Sequence, residues 1–199
     1  MNGHYDVKQW YSELEIESAL LPNMLLREPE DNYNKRIGSM PGYYLFHGKP
    51  VHLPANRGPI EFCDLAMQRQ LWWDLIHVKR YGYSSKLSHL FLQGMNSAKL
   101  MRTSPEFRKA LSDSIVKYDE ALARRFSIEP SRSDYRVVFA IASSSIGRLE
   151  LPLFSKLSLR QATRELEGLG FQYCLTKIVV PAEERVVRVK KSKKVNKTF

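Results

Sequence analysis

The chain has 199 residues, 43% of them hydrophobic, and its 31 Lys and Arg against 21 Asp and Glu give a formal net charge of +10. This length favours one domain with a real core, and the charge favours a polyanionic partner, nucleic acid before a membrane. The two cysteines, Cys63 and Cys174, form no CxxC pair, which argues against a zinc knuckle and suits a reducing compartment.

The ends and the apolar runs of the chain bear on its location. The N-terminal residues lack the basic-then-apolar order of a signal peptide. No apolar run has the length needed to cross a bilayer. We therefore expect a cytoplasmic protein that makes no membrane contact.

The first eighty residues predict a helix followed by a β-meander. Helical spacing of apolar residues predicts an amphipathic helix over 7–21, and a turn-rich segment with room for a short helix follows, ending at Gly38. Two β-prone runs flank a tight bend at 47–50. Two further strands are predicted at 60–66 and 72–80, joined as a hairpin.

The middle of the chain returns to helical spacing. Apolar residues predict a helix over 86–101, whose other face is polar. Ser104 followed by proline is a helix start, and this second helix is expected to run to about Arg125. The apolar run at 134–142 is typical of a buried strand.

The last third of the chain predicts one more helix, one more strand and a tail. Ser158 and Gln161 have the spacing of a capping box at a helix start, and 171–180 reads as a strand. From residue 181 the sequence is poor in apolar residues and basic, which predicts a flexible tail over 181–199. We therefore expect a single α/β domain over 1–180, with a central mixed β-sheet flanked by helices.

The predicted hairpin brings an acid and a lysine together. If the two strands at 60–66 and 72–80 pair, Asp64 lies roughly opposite His77 to Lys79, and the last two share a face. A carboxylate that holds Mg²⁺ and a nearby cation that stabilises developing negative charge are what metal-dependent phosphodiester hydrolysis requires. The alternative is a structural ion pair across the strands.

These residues resemble a known catalytic motif. Asp64 followed by His77-Val78-Lys79 resembles the D…(D/E)xK core of the restriction-endonuclease-like superfamily, whose fold the predicted order of elements also matches. The resemblance implies a metal site at Asp64 that binds Mg²⁺ or Mn²⁺, completed by an acid on the preceding helix. Glu30 is the candidate acid, with Asp31 as the alternative, and Gln93 matches a glutamine found on the following helix in some families.

A second resemblance covers most of residues 28–178. The segments EDNYN, IEFCDL, IHVKRYGYSSKLSHLFLQG and LPLFSKLSLRQATRELEGLGF, in this order, resemble the C-terminal part of a sporadically distributed microbial family of unknown function. Members of that family are usually longer. Sporadic distribution is associated with anti-phage genes, so the expected biological setting is defence against foreign DNA.

His77 stands where the superfamily has an acid, and this leaves several alternatives. Glu30 or Asp31 supplies the second carboxylate, or imidazole shifts the preference toward Mn²⁺, or catalysis has been lost and binding remains. Glu61 is set aside because, three residues from Asp64, it would point to the other face of a regular strand. The alternative for His77 itself is a structural histidine whose ring nitrogens are hydrogen-bonded within the protein and bind no metal.

Nucleic acid is the expected partner, and DNA is favoured over RNA. Hydroxyl and cationic side chains after the second strand are candidate phosphate contacts, and so are two lysines of the tail. An ordinary polar loop is the alternative reading of the first group. A homodimer or a partner protein is also compatible with the sequence. The candidate contacts are Arg80, Ser84, Ser85, Lys86, Lys190 and Lys191.

Overall fold

The computed structural model describes residues 3–53 and 58–181, and these contain a six-stranded mixed sheet with helices on both faces. The expectation of an α/β domain with a central mixed sheet is confirmed at this level. The strands are β1 (Ile16–Ser18), β2 (Tyr43–Leu45), β3 (Leu65–Gln68), β4 (Trp73–Arg80), β5 (Tyr135–Ser143) and β6 (Gln172–Val179). The helices are α1 (Gly3–Glu13), α2 (Glu30–Gly38), α3 (Ser84–Thr103), α4 (Pro105–Ile115), α5 (Glu120–Ser127) and α6 (Leu153–Leu169).

The sheet has the order β1-β6-β5-β4-β3-β2, with one antiparallel and one parallel half. Strands β2, β3 and β4 form an antiparallel meander, whereas β4, β5, β6 and β1 are parallel neighbours. Helix α3 begins the crossover from β4 to β5, which a parallel pair requires. Strand β4 therefore lies in the middle of the sheet, between the two halves.

The two faces of the sheet carry separate hydrophobic clusters. One face packs Leu75, Phe139 and their neighbours against α3, α4, α5 and α6. The other packs Ile76, Val138 and their neighbours against Tyr33 and Ile37 of α2. Strands β4 and β5 are buried on both faces, which explains their nearly continuous apolar sequence.

A buried carboxylate anchors the beginning of β4. Asp74 is fully buried and accepts hydrogen bonds from Arg69, Trp72 and Arg136, at 2.7 to 3.0 Å. Arg136 also donates to Glu17 at 2.7 Å. Two guanidinium groups thus neutralise Asp74, as a buried charge requires.

Two predicted boundaries were wrong near the ends of the sheet. The helix expected over 7–21 ends at Glu13, because Ile16–Ser18 pairs with β6 as a strand. The strand expected over 60–66 begins only at Leu65, although Phe62 and Cys63 are buried. Apolar residues in this segment therefore mark burial in a connection rather than a strand.

Two helix boundaries also differ from those predicted. The helix expected from Ser104 to about Arg125 is interrupted after Ile115, and Asp119 caps a new helix by accepting from the Leu122 N–H at 2.9 Å. Helix α6 begins at Leu153, so Ser158 lies inside it and its hydroxyl donates to the Phe154 carbonyl. The capping-box interpretation of Ser158 was therefore wrong.

The flexible basic tail was predicted over 181–199, and residues 182–199 of it, with Lys190 and Lys191, lie outside the described residues. In the part of the chain that is described, no helix is long and apolar enough to cross a membrane.

Candidate functional site

Two carboxylates hold the backbone at the end of β4. The Asp64 Oδ2 atom accepts the Val78 N–H at 2.7 Å, and the Glu30 Oε2 atom accepts the Arg80 N–H at 2.9 Å. Strand β3 ends its pairing with β4 at Leu65 and Ile76, so these side chains take the place that a longer β3 would occupy. The acids predicted as metal ligands therefore lie on either side of Lys79 along the strand.

Lys79 joins this group through its ammonium. Its Nζ atom donates to Glu30 Oε1 at 2.7 Å. Partial burial opposes the charged form, but the hydrogen bond to Glu30 and the charges of Glu30, Asp64 and Glu61 together raise the pKa of Lys79 above its ordinary value. The lysine is therefore a cation fixed on Glu30 of α2, and the charge of Asp64, just before β3, also acts on it.

A histidine that the sequence did not single out bridges two acids at this site. His47 Nδ1 lies 2.7 Å from Asp64 Oδ1, and its Nε2 atom lies 3.0 Å from Asp31 Oδ1. Carboxylates only accept hydrogen bonds, so both ring nitrogens must carry a proton and the ring is an imidazolium. Its hydrogen bond to Asp64, together with the nearby charges, raises the pKa of His47 to about 9.

The backbone explains how His47 reaches Asp64. The carbonyl oxygen of Asp64 accepts hydrogen bonds from the N–H groups of both Phe46 and His47, each at 2.9 Å. The bend after β2 is thereby fixed against the residue that precedes β3. The sequence signal was limited to a histidine in a predicted bend, which by itself does not identify a partner.

Glu61 also belongs to this neighbourhood, against the expectation from strand alternation. Residues 61–64 are not part of a regular strand, so the argument that Glu61 faces away from Asp64 did not apply. Gln93 of α3 donates a hydrogen bond to Glu61, and the Glu61 charge acts on Lys79. The contact of Gln93 with the site is therefore its hydrogen bond to Glu61. Both side chains also line a groove of about 990 Å³.

His77 lies in the core rather than at the surface of this cluster. It is 1% exposed, and its ring packs near Phe139 and Gly94. Burial lowers the pKa of His77 to about 4, so the ring is neutral at neutral pH. Neither ring nitrogen has a hydrogen-bond partner among the described residues. Among the described residues His77 therefore makes no hydrogen bond to the acids that hold β4, although it feels the charge of Asp64.

The residues expected to contact phosphate occupy the start of α3 and the end of β4. Ser84, Ser85 and Lys86 form the first turn of α3, and Ser85 and Lys86 are exposed. Ser84 pairs with the hydroxyl of Ser155 at 3.1 Å. The guanidinium of Arg80 donates to the carbonyl of Glu28, so it is held against the protein.

The donor set of the site suits a hard divalent cation. Its acids are oxygen ligands of the kind Mg²⁺ prefers, and two protein cations already neutralise part of their charge. Four carboxylates against two cations leave an excess of negative charge. Among the residues described, however, no three His, Cys, Asp or Glu side chains lie close enough together to hold a metal ion as they are. The groups are the carboxylates of Glu30, Asp31, Glu61 and Asp64 and the cations of His47 and Lys79.

A bound cation would therefore be held by the acids of this cluster. The side chain of His47 or Lys79 would have to move away from the carboxylate that it pairs with. The residues that could hold the ion are Asp64 and Glu30, which the sequence already predicted. The oxygens of these two carboxylates are of the type that such an ion prefers, and each of them accepts a hydrogen bond from the protein.

Comparisons with known proteins place the chain in a family. No curated protein and no solved structure matches it. One family model matches residues 5–179, which is most of the chain. The chain therefore belongs to the family described as a family of unknown function, DUF6119.

Proposed function

We propose that this protein hydrolyses phosphodiester bonds of nucleic acid in a metal-dependent reaction, DNA in preference to RNA, on a restriction-endonuclease-like core. The observation that carries the proposal is the arrangement at the end of β4. Asp64 accepts from Val78 and Glu30 accepts from Arg80, and Lys79 lies between them with its ammonium on Glu30. An acid beside a strand hairpin, an acid on the preceding helix and a strand lysine thus meet at one place.

The order of elements supports the same proposal. Helix α2, strands β2, β3 and β4, helix α3 and strand β5 occur in the order helix–strand–strand–strand–helix–strand, with α4 and α5 added between α3 and β5. The formal charge of +10 suits a polyanionic substrate. Defence against foreign DNA remains the setting we expect for such an activity.

Each residue of the cluster has a distinct role in this proposal. Asp64 and Glu30 would hold Mg²⁺ or Mn²⁺, which when bound polarises the phosphate and lowers the pKa of a water ligand. Lys79 is charged and would stabilise negative charge that develops on the scissile phosphate. Backbone hydrogen bonds from Val78 and Arg80 keep the two carboxylates in place before substrate arrives.

The test is hydrolysis of labelled single-stranded DNA, double-stranded DNA and RNA with Mg²⁺, Mn²⁺ or a chelator. Asp64→Asn and Lys79→Ala are the variants of the site. The matched controls are Asp113→Asn and Lys109→Ala, because Lys109 and Asp113 form an exposed ion pair on α4 at 2.6 Å. These controls change net charge by the same amount as the site variants.

We expect cleavage that requires the divalent ion. Loss of a group that stabilises transition-state charge costs about 100-fold to 1,000-fold in rate, so Lys79→Ala should fall by roughly this factor. Both controls should cut at the wild-type rate. Equal losses in the controls and the site variants would contradict the assignment of Lys79 and Asp64.

A second candidate function is binding without catalysis, as a nucleic-acid-binding or assembly subunit. The observation that favours it is that Glu30, Asp31 and Asp64 are each paired with Lys79 or His47. Binding should weaken steeply as salt rises, because each neutralised phosphate releases counterions. Salt-sensitive binding by wild type and both site variants, with no cleavage of any substrate, would select this function over hydrolysis.

A further inference from the structure

The side chain of Asn34 contacts one of the two carboxylates of the candidate site, and its position on α2 is one turn from the other. Asn34 is on α2 one turn after Glu30, so the two share a face of the helix. Its neighbours Tyr33 and Ile37 are in the hydrophobic core, and Asn34 itself is 0% exposed. A polar amide is thus kept in the layer that packs α2 on the sheet.

The two ends of the Asn34 amide have different surroundings. Its Nδ2 atom donates to Asp64 Oδ1 at 3.3 Å. Its Oδ1 atom is buried and has no hydrogen-bond partner among the residues that the structure describes. Turning the amide over would set one acceptor oxygen against another, so the contact with Asp64 fixes the orientation.

A buried carbonyl oxygen without a partner calls for an explanation. Buried polar groups in folded proteins are almost always paired, and the exceptions are associated with catalytic sites or with a bound water or ion. A leucine has the same number of side-chain heavy atoms and the same branching as asparagine, and it would occupy this position without an unpaired acceptor. The unpaired oxygen belongs to the same amide that donates to Asp64, so it lies next to the candidate site.

We propose that Asn34 is a positioning residue of the divalent-cation site. Its amide N–H holds the Asp64 carboxylate, and its carbonyl oxygen is the acceptor for a water of the hydrated cation. This inference rests on the proposed function, because it takes Asp64 as a ligand. It adds a residue that neither the acid–lysine motif nor the ion pairs of the site include.

The experiment measures Mn²⁺ affinity by calorimetry, and unfolding midpoints with and without Mn²⁺, on the full chain. The variants are Asn34→Leu, which removes both ends of the amide, and Asn34→Asp, which keeps the size and the oxygen. Thr163→Val is the matched control, because Thr163 is a buried polar residue of α6 whose hydroxyl bonds within its own helix.

Residues that orient metal ligands typically change metal affinity about 10-fold to 100-fold when replaced, and we expect a loss of this size in Asn34→Leu. Asn34→Asp places a second carboxylate beside Asp64, so Mn²⁺ should raise its unfolding midpoint more than that of wild type. Thr163→Val should bind Mn²⁺ as wild type does. Together these results would support the inference.

The opposite results separate the two levels of the proposal. Wild-type Mn²⁺ affinity in Asn34→Leu would overturn the role of Asn34 and leave the proposed function standing. If Asn34→Leu does not fold, an equal Mn²⁺ shift in Asn34→Asp and wild type would overturn it instead. No Mn²⁺ binding by the wild-type chain would overturn the proposed metal site, and this inference with it.

Discussion

Replacing His47 by glutamine should destabilise the fold at neutral pH and have little effect in alkali. Glutamine is neutral and cannot donate to Asp64 and Asp31 through two opposed N–H groups as the imidazolium does. The pKa of His47 is raised from an ordinary 6.5 to about 9. A pKa that is higher in the folded state means that the folded chain binds the proton more tightly, so the contribution is complete below the ordinary pKa and is lost as pH rises through the folded one.

The magnitude follows from the shift and from exposure. A tenfold change in proton affinity is about 1.4 kcal/mol, so the full shift corresponds to roughly 3 kcal/mol. The side chains of His47 and Asp31 are 21% and 67% exposed, and solvent screening weakens such pairs. We therefore expect about 1–2 kcal/mol at pH 6, falling toward zero near pH 10.

The assay is urea unfolding of wild type, His47→Gln and His52→Gln at several pH values across this range. His52 is an exposed histidine of the same connection and serves as the control. Its replacement should change the free energy of unfolding by less than about 0.5 kcal/mol at every pH. A His47→Gln penalty that is the same at pH 6 and pH 10 would refute the assignment of an imidazolium.

Two further predictions concern the fold. Asp74→Ala should destabilise by about 3–5 kcal/mol in urea unfolding, because it leaves two guanidinium groups partly buried without their anion, whereas Asp113→Ala at an exposed pair should cost little; equal midpoints would contradict this account. Gly94→Ala should cost about 1–3 kcal/mol, because its Cβ would lie 2.6 Å from the Phe139 ring. Gly168→Ala, with open space around an exposed helix position, should stabilise by roughly 0.5–1 kcal/mol, and a thermal melt in which both glycine variants shift alike would exclude the steric explanation.

The elements predicted well are those with long, regular patterns. Helix α3 was predicted over 86–101 and spans Ser84–Thr103, and β5 was predicted over 134–142 and spans Tyr135–Ser143. In both, a repeated spacing of apolar residues is enforced by burial against the sheet. Strand β1 was missed because it has three residues and pairs with β6, which is distant in sequence.

The candidate site shows the same division between local and distant information. Asp64, Lys79 and Glu30 carry a recognisable spacing, and the structure brings them together. His47 could not be identified, because its position depends on backbone hydrogen bonds from the β2 bend to Asp64. Glu61 was set aside on the assumption of a regular strand that begins four residues later, at Leu65. The positions of both His47 and Glu61 therefore depend on contacts between residues that are distant in sequence.

Because β3 begins only at Leu65, the part of β4 after Ile76 has no neighbouring strand on that side, which leaves an open gap in the sheet. The amide hydrogens of Val78 and Arg80 lie in this gap and are held by side-chain oxygens instead of a neighbouring strand. Their hydrogen-exchange rates therefore report on Asp64 and Glu30, whereas amides deeper in β4 report on global unfolding. A ligand that draws either carboxylate away would speed exchange at one of these two amides. Nuclear magnetic resonance could then locate its binding without any assay of turnover.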